Sequence, residues 1–303
     1  SEHFATYEPS RWSSMVHNLA RMKAKDAVVA LADHATQEIL ESLGHLVRGS
    51  SDEIPNITNQ KKVECQWIYW YRNKEDRETL ANFLGKTVLD SASLFTTAAQ
   101  DKHLVLGLVL SQTKVTVGLH IAPSAEVDRR NFLAHLKDEY KIDKTLGAFA
   151  ALPENMLMGN PEALKPIGEW TLQSDRSQLE ELLEYDSPFF LGYVVDPELG
   201  VEMSAELGSW VQNGIENLLP FYTHVAWSKT NDCIGQGRAV KKAKEEKIKK
   251  SANFQTGDKV RITTGLLSGK IGIIENIDAK AMVKVAVGKM SVKVPGQDLI
   301  PLA

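Results

Sequence analysis

The chain has 303 residues, of which 43% are hydrophobic and 24% are charged, and its formal net charge is −4. This length and composition are typical of a globular protein with two or three domains, and they exclude disorder as the main state of the chain. No apolar run reaches the roughly 20 residues that cross a bilayer, and no basic segment followed by an apolar one opens the sequence. We therefore expect a cytoplasmic protein without a membrane partner.

Helical and strand periodicities predict an α+β body over residues 1–237, with helices around mixed or antiparallel strands. Residues 10–47 are predicted as one long helix or a broken pair, and residues 50–60 as a loop. Apolar groups on both alternating faces of residues 63–71 predict an interior strand, and Asn73 is suited to cap a helix through residue 84.

The second part of the body continues with a predicted hairpin, since two β-rich runs at 103–110 and 114–121 are separated by a polar tripeptide. Further helices are predicted at 124–140, 174–185 and 203–219, and a strand at 189–195. Pro220 is expected to bend or interrupt the last helix. The pattern weakens over residues 141–170, which predicts loops and a junction between two halves of the body.

The body contains several polar or aromatic groups but no catalytic motif. The phosphate-binding, dinucleotide-binding, zinc-helix and nucleophile-elbow motifs do not occur, and the two cysteines, Cys65 and Cys233, lie far apart and are expected to be reduced thiols. No metal or cofactor is predicted, and the catalytic residues are unknown. Residues 224–232 are interpreted as a polar helix end rather than an active site.

Two other groups in the body are open to a functional interpretation. The aromatic residues Trp67, Tyr69, Trp70 and Tyr71 are interpreted as core rather than as a base-stacking platform. If Asp128, Glu139 and Asp143 met in space, they would supply the carboxylates that a Mg²⁺-dependent nuclease requires.

The charge is distributed unevenly along the chain. Residues 238–303 contain 14 basic and 6 acidic residues, a balance of +8, which leaves a balance of −12 for the rest. A polyanion such as RNA or DNA is therefore expected to meet the C-terminal part, and the acidic body is expected to bind a protein. Residues 238–253, with Lys241 and Lys242, are predicted as a basic helical linker.

Short alternating strands and glycines predict a small barrel over residues 254–303. Its interior is expected to contain Val260, Ile262, Ile273, Val285 and Val294, and Ile271 is assigned to the same face as Ile273. Positive φ angles are expected for Gly265 and Gly269 in a loop, and Gly288 is expected at the final hairpin turn. Gly272 lies inside a strand, where a missing side chain permits close backbone approach.

Residues 260–277 contain the sequence V-R-I-x-x-G-x-x-x-G-K-x-G-x-I. This segment resembles the KOW domain of NusG-type transcription elongation factors and of a large-subunit ribosomal protein family, with Gly272 at the family's hallmark glycine. The resemblance implies an SH3-like barrel that docks on RNA, on the ribosome or on RNA polymerase. It covers about one sixth of the chain, and no family is recognised for residues 1–237.

The resemblance also indicates which residues would make contacts. Nucleic acid would be bound by basic residues beside the loop and in the linker: Lys259, Arg261, Lys270, Lys241 and Lys242. A protein would instead be bound by Leu266 and Leu267, which follow the glycine where NusG-like proteins often have Pro-Phe in a docking loop.

These features predict an accessory binding factor associated with RNA, the ribosome or the transcription machinery. One alternative is a protein-protein adaptor that makes no direct contact with nucleic acid. Another is an unrecognised nuclease-like enzyme that the C-terminal domain targets to its substrate.

Overall fold

The computed structural model describes residues 2–80, 98–171, 175–184, 187–235, 254–277, 282–288 and 290–302. The chain divides into two compact units, residues 1–234 and 235–303. The segment 238–253, which contains Lys241 and Lys242, lies outside the described residues. Among the helices that are described, none is long and apolar enough to cross a membrane.

The described strands of the N-terminal unit form one seven-stranded sheet. They are β1 (Leu46–Ser50), β2 (Cys65–Arg72), β3 (Val105–Ser111), β4 (Val115–Ile121), β5 (Leu157–Asn160), β6 (Ala163–Pro166) and β7 (Phe189–Val195). Their order in the sheet is β1-β2-β3-β4-β7-β5-β6, and neighbouring strands are antiparallel. The predicted α+β class is confirmed, as are the hairpin and the strand at 189–195.

The N-terminal unit also contains helices, several of which pack against this sheet. They are α1 (Glu2–Ala5), α2 (Asn18–Thr36), α3 (Leu40–Leu43), α4 (residues 74–80), α5 (Ala99–Lys102), α6 (Glu126–Lys137), α7 (Ile142–Ala150), α8 (Arg176–Glu184), α9 (Pro197–Glu202) and α10 (Leu207–Val225). Helices α2 and α10 contact each other and the central strands. Asn73 caps α4 as predicted, because its Oδ1 accepts a hydrogen bond of 2.9 Å from the backbone N–H of Asp76.

Two predictions for this unit were wrong, and a third was wrong in part. The region predicted as helix up to residue 47 ends in an edge strand, β1, which pairs with β2. The segment 141–170, predicted as loops, contains α7 and the hairpin of β5 and β6, which joins the common sheet through β7. Pro220 does not interrupt helix α10, which continues to Val225 and buries Phe221, Tyr222 and Val225, whereas the alternative of a bend at Pro220 stays a prediction.

A buried ion pair lies at the junction of several of these elements. Asp128 of α6 is fully buried, and its Oδ1 accepts hydrogen bonds from Nη2 of Arg72 in β2 and from the backbone N–H of Trp227 at 3.0 Å. Its Oδ2 accepts a third from the backbone N–H of Leu104 at 2.8 Å. One carboxylate thus connects β2, α6, the start of β3 and the segment that follows α10.

The C-terminal unit is a five-stranded antiparallel sheet. Its strands are β8 (Lys259–Ile262), β9 (Ile271–Ile277), β10 (Met282–Val287), β11 (Met290–Pro295) and β12 (Leu299–Pro301), in the order β11-β10-β9-β8-β12. The residues that it buries most deeply form one apolar cluster: Phe254, Val260, Ile262, Ile274, Val283, Val285, Val294 and Leu299. Burial of Val260, Ile262, Val285 and Val294 is confirmed.

The predicted facing of β9 was wrong. Ile271 and Ile273 are 52% and 47% exposed, whereas Ile274 is 1% exposed. The cause is Gly272, which faces the interior: a Cβ atom there would lie 2.4 Å from Cγ1 of Val285. Because side chains alternate along a strand, an inward glycine places both of its neighbours on the outer face.

This arrangement predicts that two neighbouring truncations in β9 destabilise the C-terminal unit by different amounts. We expect Ile274→Ala to destabilise the C-terminal unit by about 2 to 5 kcal/mol, because it leaves a cavity in a small core. Ile273→Ala should cost about 1 kcal/mol or less, because its side chain is largely in water already. Urea unfolding of the two variants measures the difference, and equal losses would mean that β9 faces the other way.

Candidate functional site

Exposed cations lie on and beside one strand of the C-terminal unit. Lys259 and Arg261 alternate along β8 with Val260 and Ile262, which are buried. The two cations therefore project from the outer face of the strand. Lys270 is also exposed and directly precedes β9. Within the described part of the chain none of these three cations forms an ion pair, whereas Nζ of Lys284 lies 2.9 Å from Oε2 of Glu275.

The loop between β8 and β9 places Lys270 at the end of β8. Gly265 and Gly269 have φ angles of +74° and +82°, which confirms the expected left-handed conformations. The backbone N–H of Gly269 donates to the carbonyl of Ile262 at 2.7 Å, and the N–H of Ile262 donates to the carbonyl of Lys270 at 2.9 Å. These bonds close the loop and place Lys270 across the ladder from Ile262, one residue along from Arg261.

The structure describes the side chain of one of the two loop leucines that were predicted to bind a protein. Leu267 is partly buried and packs against the apolar cluster of the C-terminal unit, and its role in binding a protein stays a prediction. The side chain of Leu266 lies outside the described part of the structure.

Three exposed isoleucines lie on the same face as Arg261, and we call them the isoleucine face: Ile271, Ile273 and Ile300. Arg261 pairs with Ile271 on one side and with Ile300 on the other, and Lys259 pairs with Ile273. Each cation of β8 therefore has at least one exposed isoleucine beside it on a neighbouring strand. Sequence reasoning missed this face because it placed Ile271 and Ile273 in the interior.

The other groups that the sequence singled out have structural partners. Tyr69, Trp70 and Tyr71 are buried, which confirms their interpretation as core. Asp128 is occupied by its ion pair with Arg72 rather than free to bind Mg²⁺. The described residues include no group of three or more His, Cys, Asp or Glu side chains that could hold a metal ion.

Four residues of the polar run 224–232 line a cavity of about 820 Å³ in the N-terminal unit: His224, Thr230, Asn231 and Asp232. His135 of α6 and Lys141, directly before α7, meet Cys233 at its wall. Nζ of Lys141 and Nε2 of His135 each lie 3.1 Å from Sγ of Cys233. The rings of His135 and His224 are 4.5 Å apart, and Nε2 of His224 lies 2.9 Å from Oγ1 of Thr145.

The interpretation of this run as only a polar helix end was therefore incomplete. His135 and Cys233 are 98 positions apart, and Lys141 and Cys233 are 92 apart, so no local motif connects them. The polar composition of residues 224–233 was the one signal in the sequence that pointed to this cavity.

Comparison of the chain with protein-family models and with curated proteins found no match.

Proposed function

We propose that the protein is an accessory factor that binds RNA through its C-terminal unit, near the ribosome or the transcription machinery. In this proposal the five strands form an SH3-like barrel of the KOW type. The strand order supports it, because β12 returns to pair with β8 and brings the last strand beside the first. The glycines at 265, 269 and 272 occupy the positions that the KOW sequence pattern requires.

The observation that carries the proposal is the set of three exposed cations without a described ion-pair partner, Lys259, Arg261 and Lys270. Lysine and arginine side chains bind phosphate oxygens, and these contacts supply most of the sequence-independent affinity for RNA. Residues 254–303 have seven basic and four acidic residues, a balance of +3. So small an excess predicts modest affinity that depends strongly on salt.

The test is binding of the full-length chain to fluorescent single-stranded RNA, duplex RNA and duplex DNA. Between about 50 and 200 mM salt, the affinity for RNA should fall steeply, because each neutralised phosphate releases counterions. Lys270→Ala and Arg261→Ala should each weaken binding and reduce the salt slope by about one unit.

Lys284→Ala is the matched control for these variants, because this lysine is exposed on the same sheet but already paired with Glu275. It should change the salt slope less than Lys270→Ala does. Binding that is undetectable at low salt, or a slope that neither Lys270→Ala nor Arg261→Ala alters, would refute RNA binding at this face.

The isoleucine face favours a second candidate function, that of a protein adaptor. Three exposed isoleucines within one small sheet form an apolar surface of the kind that marks protein interfaces. If this function is correct, a partner protein will remain bound after nuclease treatment, and Ile271→Ser will raise its off-rate with little dependence on salt. A partner that is released by nuclease would favour RNA binding instead.

A further inference from the structure

Two side-chain nitrogen atoms lie within hydrogen-bond distance of the sulfur of Cys233. The side-chain amide of Asn231 donates through Nδ2 to the carbonyls of His224 and Ala226, at 2.7 and 2.8 Å. Its Oδ1 must therefore be the acceptor in the 2.9 Å contact with Nε2 of His135. Nε2 of His135 thus carries a proton and also lies 3.1 Å from Sγ of Cys233.

The second nitrogen atom near this sulfur, Nζ of Lys141, belongs to a cation. Its hydrogen bond to Cys233 raises the pKa of the Lys141 ammonium, which keeps Lys141 charged at neutral pH. Burial lowers the pKa of His135 and lowers that of His224 to about 4, so both imidazoles are neutral there. Sγ of Cys233 thus lies beside a lysine ammonium and a histidine ring, and it is partly exposed, which is the kind of environment in which nucleophilic cysteines occur.

The backbone of Cys233 is held firmly in this position. Its N–H donates to Oδ1 of Asn131 at 2.9 Å, and Nδ2 of Asn131 donates to the carbonyl of Val225 at 3.1 Å. Asn131 is fully buried on α6. The sulfur therefore has a fixed place at the cavity wall, while Cys233 itself remains partly exposed.

The cavity combines this polar end with an apolar wall. The polar end contains Lys141, Lys144, His135 and His224. The wall is formed by five side chains from α7, its C-terminal end and α10: Ala148, Ala151, Leu152, Pro220 and Phe221. Such a lining suits a compound with an apolar chain and a carbonyl group, whose oxygen becomes negative when a nucleophile attacks.

We propose that Cys233 is a nucleophile that accepts an acyl group from an activated ester or thioester with an apolar acyl chain. Sγ of Cys233 attacks the carbonyl carbon and forms the new S–C bond. The bond from that carbon to the leaving oxygen or sulfur breaks, and its electron pair departs with the leaving anion. The ammonium of Lys141, released from the thiolate, pairs with this anion, so the step needs no oxidant or reductant.

Cys65 provides an internal reference for the test. Its sulfur accepts a hydrogen bond of 3.1 Å from Nε1 of Trp67, and burial raises the pKa of the thiol to about 11. Neither a lysine nor a histidine contacts this sulfur among the residues that the structure describes. Cys65 should therefore behave as an unactivated thiol in the same chain.

The first measurement is the rate of iodoacetamide alkylation of each cysteine at neutral pH, followed by mass spectrometry of the peptides. Cys233 should react at least about tenfold faster than Cys65. Lys141→Met should slow the reaction of Cys233 and leave that of Cys65 unchanged. Lys144→Met is the matched control, since Lys144 lines the same cavity without a described contact to the sulfur, and it should have the smaller effect. Equal rates in wild type and Lys141→Met would overturn the proposal.

The second measurement tests acyl transfer itself with p-nitrophenyl butyrate and p-nitrophenyl acetate. The Cys65→Ser chain should release one equivalent of nitrophenolate in a burst and gain one acyl group on Cys233. Butyrate should react faster than acetate because of the apolar wall. The Cys65→Ser/Cys233→Ser chain, checked for folding by circular dichroism, should show no burst. Rapid alkylation of Cys233 without an acyl group on it would overturn the acyl-transfer step.

Discussion

Gly272→Val will unfold the C-terminal unit while the N-terminal unit stays folded. The new Cβ would lie 2.4 Å from Cγ1 of Val285 and 2.5 Å from the carbonyl oxygen of Ala286. The second of these atoms belongs to the backbone of a paired strand, so β9 and β10 must separate to relieve the clash. Overpacking of this kind costs about 1 to 3 kcal/mol or more, which is comparable to the whole stability of so small a core.

The measurement is urea unfolding of the full-length chain, with amide hydrogen exchange to assign the transitions to each unit. Amides of β9 and β10 should lose their protection in Gly272→Val, and those of β3 and β4 should keep it. Ile271→Val is the control, because it changes an exposed side chain at the adjacent position and should leave exchange unaltered. Native protection of β9 in Gly272→Val would show that Gly272 does not face the core.

Asp128→Ala will destabilise the N-terminal unit by about 3 to 5 kcal/mol, because it leaves the guanidinium of Arg72 buried without its counter-charge. It also removes the acceptor for the backbone N–H groups of Leu104 and Trp227. A buried donor without a partner adds its own desolvation cost. The loss should appear as a lower urea midpoint for the N-terminal unit.

Glu126→Ala is the matched control on the same helix. Glu126 lies 3.5 Å from Arg130 in an ion pair whose side chains are both exposed, and such pairs contribute between 0 and about 1 kcal/mol. Loss of this carboxylate should therefore change the midpoint little. Equal effects of Glu126→Ala and Asp128→Ala would mean that Asp128 is not a buried structural centre.

Elements with a complete local signal were predictable from the sequence of the N-terminal unit. Strand β7 has the predicted bounds, and the hairpin of β3 and β4 follows from two β-rich runs and a short polar connection. Helix α6 was predicted with longer ends because its apolar stripe does not mark the caps.

Edge elements lacked such a signal. β1 has only one neighbour among the described strands of the sheet, and its apolar side chains are confined to its first two residues, Leu46 and Val47. The short strands β5 and β6 are held by pairing with each other and with β7, which the sequence of residues 157–166 does not encode locally. Their formation depends on long-range contacts.

The residues of the candidate sites also differ in whether the sequence alone could predict their positions. Lys259 and Arg261 were predictable as an exposed pair, because they alternate with the apolar residues of β8. The isoleucine face was not predictable from the sequence. Hydrophobicity alone suggests that Ile271 and Ile273 face the interior, but Gly272 faces the interior instead and places both on the outer face of β9. The meeting of His135, Lys141 and Cys233 was also not predictable, because it requires α6, the start of α7 and the segment after α10 to converge.

The sequence by itself determined the α+β class, most helices and strands of the described chain, the positive φ of Gly265 and Gly269 and the charge asymmetry. These properties depend on the period of side chains along one segment or on the conformational range of one residue. Only the tertiary structure decided which strands adjoin in each sheet, which face of β9 is buried and which distant side chains surround Cys233. Those properties depend on packing between segments far apart in the chain, where close approach of one backbone to another outweighs local hydrophobicity.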